Sequence, residues 1–598
     1  MKLPSFQISN INRNNVIKAI ARTIFLLFDD KITKLKNLFL KNNIGGYLIP
    51  KNDSYFNEFI NPGEDRLQFI SDFTGSTGTA IILKKQNLLF VDGRYITQAK
   101  KESAKNYKII DIAKSSLLDF LNHSKLRIGF DPSLTKYSWH QQLKNKQNFI
   151  EVPENLIDKI WKKSNTKIQN KAFILEDIYS GENYQSKLKQ VKKILNISNN
   201  ESFFISASEN ICWLLNIRGK DSAYTPVLNS QALLTQKKLY VFCKIKKISD
   251  TIRQEYKKNV EFKDESLLFK ILAKNKNKLI TIDRSASVKI INYLNEEKLN
   301  IKFKPDPISK LKTQKNKIEI QNSKIAHIYD GVAVAKFIIW LKKQKKIKEL
   351  SEISAQNKLE KFRKDNSSYL FPSFPAISGF GKNAAIIHYR ACKQSNLKFR
   401  STGIYLIDSG GQYKEGTTDI TRTISFGKQS LAVKNIYTKV LKGHLAVKNF
   451  NLTKKTTGRQ IDMAARKYLN INNLDYAHGT GHGVGYFLNV HESPPSISKY
   501  SRDNFISGQI ISNEPGFYSP GLFGIRIENL IHVEENKKRL YFQDLTLAPY
   551  EKNLINIKLL NRKEIKSINH YHKIVFELLK SFMKQEELSI FAEQCSPL

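Results

Sequence analysis

Between Ser378 and Val533, strand-like apolar runs alternate with glycine clusters, and two of those runs end in a carboxylate. In Ile404-Tyr405-Leu406-Ile407-Asp408-Ser409-Gly410-Gly411 an apolar strand runs straight into an acid and then a turn. Burying an unpaired carboxylate is costly, so Asp408 requires a cationic partner. Asp419 follows eleven residues on, in Thr417-Thr418-Asp419-Ile420-Thr421-Arg422-Thr423. That segment alternates polar and apolar positions, so the two read as a hairpin able to aim both acids at one point. A second apolar strand, Ile510-Ile511-Ser512-Asn513-Glu514, ends the same way before Pro515-Gly516. Fourteen residues later Gly524-Ile525-Arg526-Ile527-Glu528-Asn529 alternates cleanly. Period two puts Arg526 and Glu528 on one face, where a plain Arg–Glu surface pair is the ordinary reading.

His478-Gly479-Thr480-Gly481-His482-Gly483-Val484-Gly485 carries glycine at every second position. Two histidines four apart would share a helix face, but glycine at this density argues for extended backbone that other groups can approach closely. Neither of the phosphate-loop patterns GxGxxG and GxxxxGK[ST] is satisfied. His491 follows, and alone would read as structural. Each of these pieces has an ordinary explanation, in turns, loops and surface pairs. Together, four carboxylates and the His482 imidazole make a hard, oxygen-rich ligand set, suited to Mn²⁺, with Co²⁺ or Zn²⁺ as alternatives. Charge counting calls for two divalent ions. Four carboxylates balance two such ions, and a bridging hydroxide then leaves an excess negative charge that a substrate ammonium can offset.

The chain has 598 residues, and at roughly 150 residues per domain it divides into three to five units. A helix near Ile32 and strands at Gly46–Pro50, Thr79–Leu83 and Leu88–Val91 outline an α/β unit over 31–153. Residues 154–171 are polar and Lys/Asn-rich and read as a linker opening a second α/β unit, 154–311. Its elements are a helix at Lys187–Ile194 and strands at Phe203–Ser206, Ala232–Thr235 and Leu239–Lys244. A long amphipathic helix from about Lys315 to Lys343 opens a third region, 312–535, and 536–598 holds one strand and then helix-period sequence. Residues 1–30 read as an extension. The net charge of +44 comes from lysine spread along the whole chain, with no aromatic-interleaved basic patch, which points away from nucleic acid. No apolar run approaches the roughly 20 residues of a membrane span. The four cysteines, far apart and without a CxxC pair, fit a reducing compartment, and a cytoplasmic location is expected.

The segments IDSGGQYKEGTTDITRT, HGTGHGVGYFLNVHE, SNEPGFY and GIRIEN resemble the pita-bread metallopeptidases, the family of methionine aminopeptidase, prolidase and aminopeptidase P. FTGSTGTA with VDGRY (residues 91–95), WLLNIRGKD and LTLAPYEKNLI are similar to its three-domain aminopeptidase P branch, from about residue 31 to the C-terminus. The resemblance implies an α/β (α+β) fold: two creatinase-like α/β domains, a pita-bread catalytic domain and a short C-terminal helical region. It implies that Asp408 holds one metal, that His482 and Glu514 hold the other, and that Asp419 and Glu528 bridge. His388 and His491 match substrate-contacting histidines, His478 and Tyr518 a proline pocket, and Arg94 a substrate contact from the N-terminal domain. Arg526 would orient a ligand carboxylate. The expected reaction is hydrolysis of peptides with proline at the second position by a two-metal-activated hydroxide. Glu514 would carry the proton, with His388 and His491 assisting at the carbonyl. A homodimer is a family expectation. The competing readings are a prolidase-type dipeptidase, which shares the ligands, and a non-catalytic binding protein on the same fold.

Overall fold

The computed structural model describes residues 31–103, 105–162, 170–537 and 539–598. The extension read at 1–30 and most of the later half of the linker lie outside the described residues.

Three central strands of the first unit, Gly46–Pro50, Thr79–Leu83 and Asn87–Val91, pair antiparallel. Tyr107–Asp111, Ile128–Phe130 and Phe149–Glu151 extend the sheet in parallel on both sides. Side chains alternate between its two faces, so Leu89 and Val91 enter one core while Leu88 and Phe90 enter the other. The linker reading is corrected at its start. Helix Leu156–Ile160, capped by the Asn155 side chain, buries Leu156 and Ile157 in the first core, and Trp161 stacks on Phe69 at 4.8 Å. A short helix needs only these few apolar residues, and the surrounding lysines hid it.

The second unit repeats the design. Its strands Glu201–Ile205, Ser230–Thr235, Leu239–Cys243, Val260–Asp264, Leu279–Ile282 and Asn300–Phe303 follow the same spatial order, 4-3-2-1-5-6. The same mixture of parallel and antiparallel pairs recurs.

Helix Lys317–Lys342 opens the third region with a capping box between Asn316 and Glu319. The amphipathic reading fails for its second half. Val334, Phe337, Ile338 and Leu341 enter one core, and Ala335 and Ile339 another. The helix is wedged between the sheet and the C-terminal helices, so only a narrow, half-buried stripe at Val332, Lys336 and Trp340 is left toward solvent there. Around it lie a three-stranded sheet of Ile377–Phe380, Gly403–Ser409 and Ile420–Phe426 and a five-stranded one. An isolated bridge between Thr421 and Glu528 joins the two sheets. Strand Arg539–Asp544 pairs with Asn529–Asn536, and helices Arg562–Leu579 and Gln585–Cys595 close the same core. No helix among the described residues is long and apolar enough to cross a membrane.

Candidate active site

Strands Gly403–Ser409 and Ile420–Phe426 pair so that Asp408 faces Thr421 and Ser409 faces Ile420. Asp419, immediately before the second strand, is thereby brought beside Asp408. A small excursion through Gly411–Tyr413 and Gly416–Thr417 connects them. Its entry turn admits only glycine, because a Cβ on Gly410 would lie 1.9 Å from the Thr418 carbonyl oxygen.

His482 sits in strand Gly481–Gly483, squeezed between two neighbours. A Cβ on Gly481 would be 2.0 Å from the Ser512 carbonyl oxygen, and one on Gly483 would be 2.6 Å from that of Glu492. The His482 Nδ1–H donates to the Gly483 carbonyl at 2.8 Å, which leaves the Nε2 lone pair free. Nε2 lies 3.7 Å from Asp419 and 3.6 Å from Glu514. Glu514 follows strand Ile510–Asn513, its N–H held by the Thr480 carbonyl at 2.8 Å. Glu528 accepts a 2.7 Å hydrogen bond from the Thr421 hydroxyl. The ligand atoms of Asp419, His482 and Glu528 all lie within 4.8 Å of one another.

Arg526 is buried and does not form a surface pair with Glu528. It donates to Asp408 Oδ2 at 2.5 Å, to the Thr421 hydroxyl at 3.0 Å and to the Tyr518 hydroxyl at 2.6 Å. Tyr518 in turn meets His478 Nε2 at 2.9 Å, while His478 Nδ1 faces the Gly479 carbonyl at 2.7 Å. A carbonyl only accepts, so Nδ1 carries the proton and Nε2 accepts from Tyr518. This neutral state agrees with the His478 pKa, pushed down to about 3 by burial and by Arg526.

The donor set fits divalent cations. Asp408 Oδ1 and Asp419 Oδ1 are buried with no hydrogen-bond partner among the described residues. Burial, then Glu528 and Asp408, push the Asp419 carboxyl far above its ordinary range, and burial with Glu514 does the same to Glu528. Burial pushes Glu514 up to about 7, against the opposing pull of Arg526. Acids so crowded cannot all ionise unless cations stand among them.

Asp408, Asp419, His478, His482, Glu514, Arg526 and Glu528 line one cavity of about 370 Å³, to which the first unit adds Glu58, Ser76, Arg94 and Tyr95. Tyr518 stands behind His478 and Arg526 and does not line it. His388 meets the Tyr95 hydroxyl through Nδ1 at 2.5 Å. His491 Nδ1 donates to the Glu58 carboxylate, and its ring stands 4.3 Å from that of His482 at 80°. Burial alone would lower the His491 pKa, but Glu58 outweighs it and the net shift is upward. Arg94 reaches the cavity while gripping Asp92 by two hydrogen bonds of 2.9 and 2.8 Å. Sequence reasoning missed Tyr95, Glu58 and Thr421. Tyr95 adjoins Arg94 in VDGRY and could have been found there, whereas nothing marks Glu58.

The family description metallopeptidase family M24 matches residues 321–535. Xaa-Pro aminopeptidase 1 of Dictyostelium discoideum is 35% identical over 606 residues, covering 95% of this chain and 96% of its own length. This chain belongs to metallopeptidase family M24, on its aminopeptidase P branch. The other parts of the M24 chain match too. Residues 31–160 and 163–319 each fit a creatinase/prolidase N-terminal domain, and 538–598 fit the C-terminal region of the family. Among solved structures, X-prolyl aminopeptidase from Caenorhabditis elegans, described as a cytosolic enzyme with a di-nuclear active site, is 28% identical with a TM-score of 0.90. That match covers 96% of the M24 chain and 100% of the other. The prolidase of Pyrococcus horikoshii shares the fold at 23% identity and a TM-score of 0.50, covering 61% of the M24 chain and 99% of its own.

Proposed function

We propose that this chain hydrolyses the bond between a free N-terminal residue and a following proline, in a metal-dependent reaction run by the cavity residues. The observation that carries the reading is the meeting of four carboxylates, two with orphaned oxygens, and one imidazole in a single cavity. In this reading Asp408, Asp419, His482, Glu514 and Glu528 would hold the ions, Asp408 on one side and His482 with Glu514 on the other. Two divalent ions, Mn²⁺ ahead of Co²⁺ or Zn²⁺, supply Lewis acidity and a water of lowered pKa when bound.

Glu514 takes the proton of the attacking water and returns it to the proline nitrogen as the bond breaks. His388, neutral because burial and then Arg94 and Arg526 hold its pKa far down, accepts from Tyr95 at Nδ1 and presents Nε2–H to the cavity. His491, braced by Glu58, offers a second Nε2–H when protonated. Such donors, placed where the carbonyl oxygen gains charge, contribute about 3–4 kcal/mol each. Arg526 fixes the free oxygen of Asp408 by holding its other one. Proline lacks an N–H and has a fixed φ. His478, backed by the Tyr518 hydroxyl, lines the cavity together with Phe374, Pro375 and Ile377, a lining that suits such a ring.

The test is a peptide panel on metal-stripped protein resupplied with Mn²⁺, Co²⁺ or Zn²⁺. Arg-Pro-Pro is cleaved and Arg-Ala-Ala is not; equal cleavage removes the proline claim and leaves an aminopeptidase. Faster cleavage of an Xaa-Pro dipeptide than of longer Xaa-Pro peptides would favour a prolidase. We also infer a cytoplasmic location, supported by the widely spaced cysteines. A homodimer, implied by the family resemblance, is tested by sedimentation of the purified chain.

A further inference from the structure

We infer that Arg390 makes this chain select peptides carrying a carboxylate on the residue after proline, an inference that rests on the Xaa-Pro reading above. Three guanidinium groups line the cavity: Arg94, Arg390 and Arg526. Arg94 is held by Asp92 and Arg526 by Asp408. Arg390 is half-buried, and among the described residues no group gives it a hydrogen bond or an ion pair.

The carboxylates lining the cavity are otherwise occupied. Glu58 is taken by His491, and Glu492 by Lys312 and Lys315. Asp408, Asp419, Glu514 and Glu528 form the proposed metal set. A partly desolvated guanidinium facing a cavity without a counter-ion is a ready receptor for an incoming carboxylate, which it can bind through two parallel N–H donors. The nearest charges reinforce this. Lys51 feels Arg390 but is already bonded to Asp65, and Tyr95 lies within its field. Glu102 also acts on Lys51, but among the described residues it is bonded to Thr74 and Gln98, so it does not serve as the counter-ion of Arg390.

Reach is compatible with the third residue of the substrate. Arg390 stands two residues beyond His388, which faces the scissile carbonyl, so their backbones are separated by at most about 7 Å. In an extended substrate the carboxyl carbon two residues beyond the scissile carbonyl is also about 7 Å away. That atom belongs to the third residue. Its α-carboxylate, in a tripeptide, or an acidic side chain at that position, in a longer one, supplies the same chemistry.

The experiment compares kcat/KM for Arg-Pro-Ala as free acid and as C-terminal amide, and for Arg-Pro-Glu-amide against Arg-Pro-Gln-amide, on wild type, Arg390→Gln and Arg390→Lys. A charge-assisted, bidentate contact predicts that wild type prefers the charged member of at least one pair by about tenfold or more, mainly through KM. The ratio falls to about one in Arg390→Gln and is partly kept in Arg390→Lys. Preference in the first pair alone identifies the α-carboxylate as the ligand, and preference in the second alone identifies the side chain. Because each ratio is internal to one protein, loss of folded material does not alter it. Ratios of one in wild type, or ratios retained by Arg390→Gln, overturn the inference while leaving the Xaa-Pro activity standing. Failure of wild type to cleave any of the four overturns that activity and this inference with it.

Discussion

Glu514 joins two demands in one side chain, since it lies 3.6 Å from His482 Nε2 as a candidate ligand and must also move a proton. Glu514→Gln keeps the shape but cannot accept that proton, so kcat should fall roughly 10²–10⁴-fold. Wild-type-like turnover in a metal-replete mutant would refute the role. The same residue gives a pH prediction for the metal-stripped protein. Its folded pKa is raised from 4.5 to about 7, so between those values the folded state holds more protons than the unfolded one. Stability of the stripped protein should therefore fall as pH rises from about 4.5 through 7, with Asp419 and Glu528 acting in the same direction. Binding of divalent ions must expel those protons, so affinity should weaken as pH falls, about tenfold per pH unit for each proton displaced. Thermal unfolding at pH 5 and pH 8 with and without Mn²⁺, together with calorimetry in buffers of different ionisation enthalpy, reads both signs.

At the scale of elements, the strand carrying His482 is the most exacting piece. Gly481→Ala would force a Cβ to 2.0 Å from a backbone oxygen, whereas at Gly479 the nearest atom is 3.3 Å away. Gly481→Ala should cost about 1–3 kcal/mol of stability and displace His482, with loss of bound metal, while Gly479→Ala does much less. Melting curves and metal analysis of the two mutants decide it; equal behaviour would show that the tight pairing is not what sets the glycine. These strands were legible in sequence because an apolar run ending in an acid has few physical solutions, and because alternating glycine excludes a stable helix. Helix Lys317–Lys342 was legible in extent, but the amphipathic reading overlooked that its second half is apolar on nearly every face, the pattern of a buried helix. Leu156–Ile160 was lost among lysines. The shared 4-3-2-1-5-6 order of the first two units was invisible, because the same topology is reached with different side chains. The bracing of the cavity was equally hidden. Glu58 and His491 are 433 residues apart, and nothing local to either announces the other.

The whole molecule works as one site holder. The first unit supplies Tyr95, Arg94 and Glu58 to the cavity, and the second unit governs the loop from Gly485 to Glu492 on which His491 is carried. Its instrument is Arg218, fully buried, whose side chain among the described residues hydrogen-bonds only to carbonyls. It donates to Phe487 at 2.7 Å and Tyr486 at 3.3 Å in the catalytic domain, and to Cys212 at 2.9 Å and Ile217 at 3.1 Å in its own. Its guanidinium also stands 5.7 Å from the Phe487 ring centre. Glu209 adds a second tie, accepting from the Asn489 N–H at 3.2 Å and pairing with Lys312, which also holds Glu492. Arg218→Met would fill the space but remove a donor from the Phe487, Tyr486 and Ile217 carbonyls, at about 1–3 kcal/mol for each one that stays buried and unpaired, while the Cys212 carbonyl keeps the Asn216 N–H. The His491 loop should loosen, so kcat should drop about tenfold or more although Arg218 touches neither substrate nor metal ligand. Metal content should stay near that of wild type, because Asp408, Asp419, Glu514 and Glu528 hang on other strands and the strand of His482 is also held by Ile497 and Ile511. Hydrogen exchange at residues 485–492, read beside metal analysis and kcat, separates the outcomes. Faster exchange with metal retained supports a second unit that positions His491. Unchanged exchange and unchanged kcat would reduce that unit to a passive spacer.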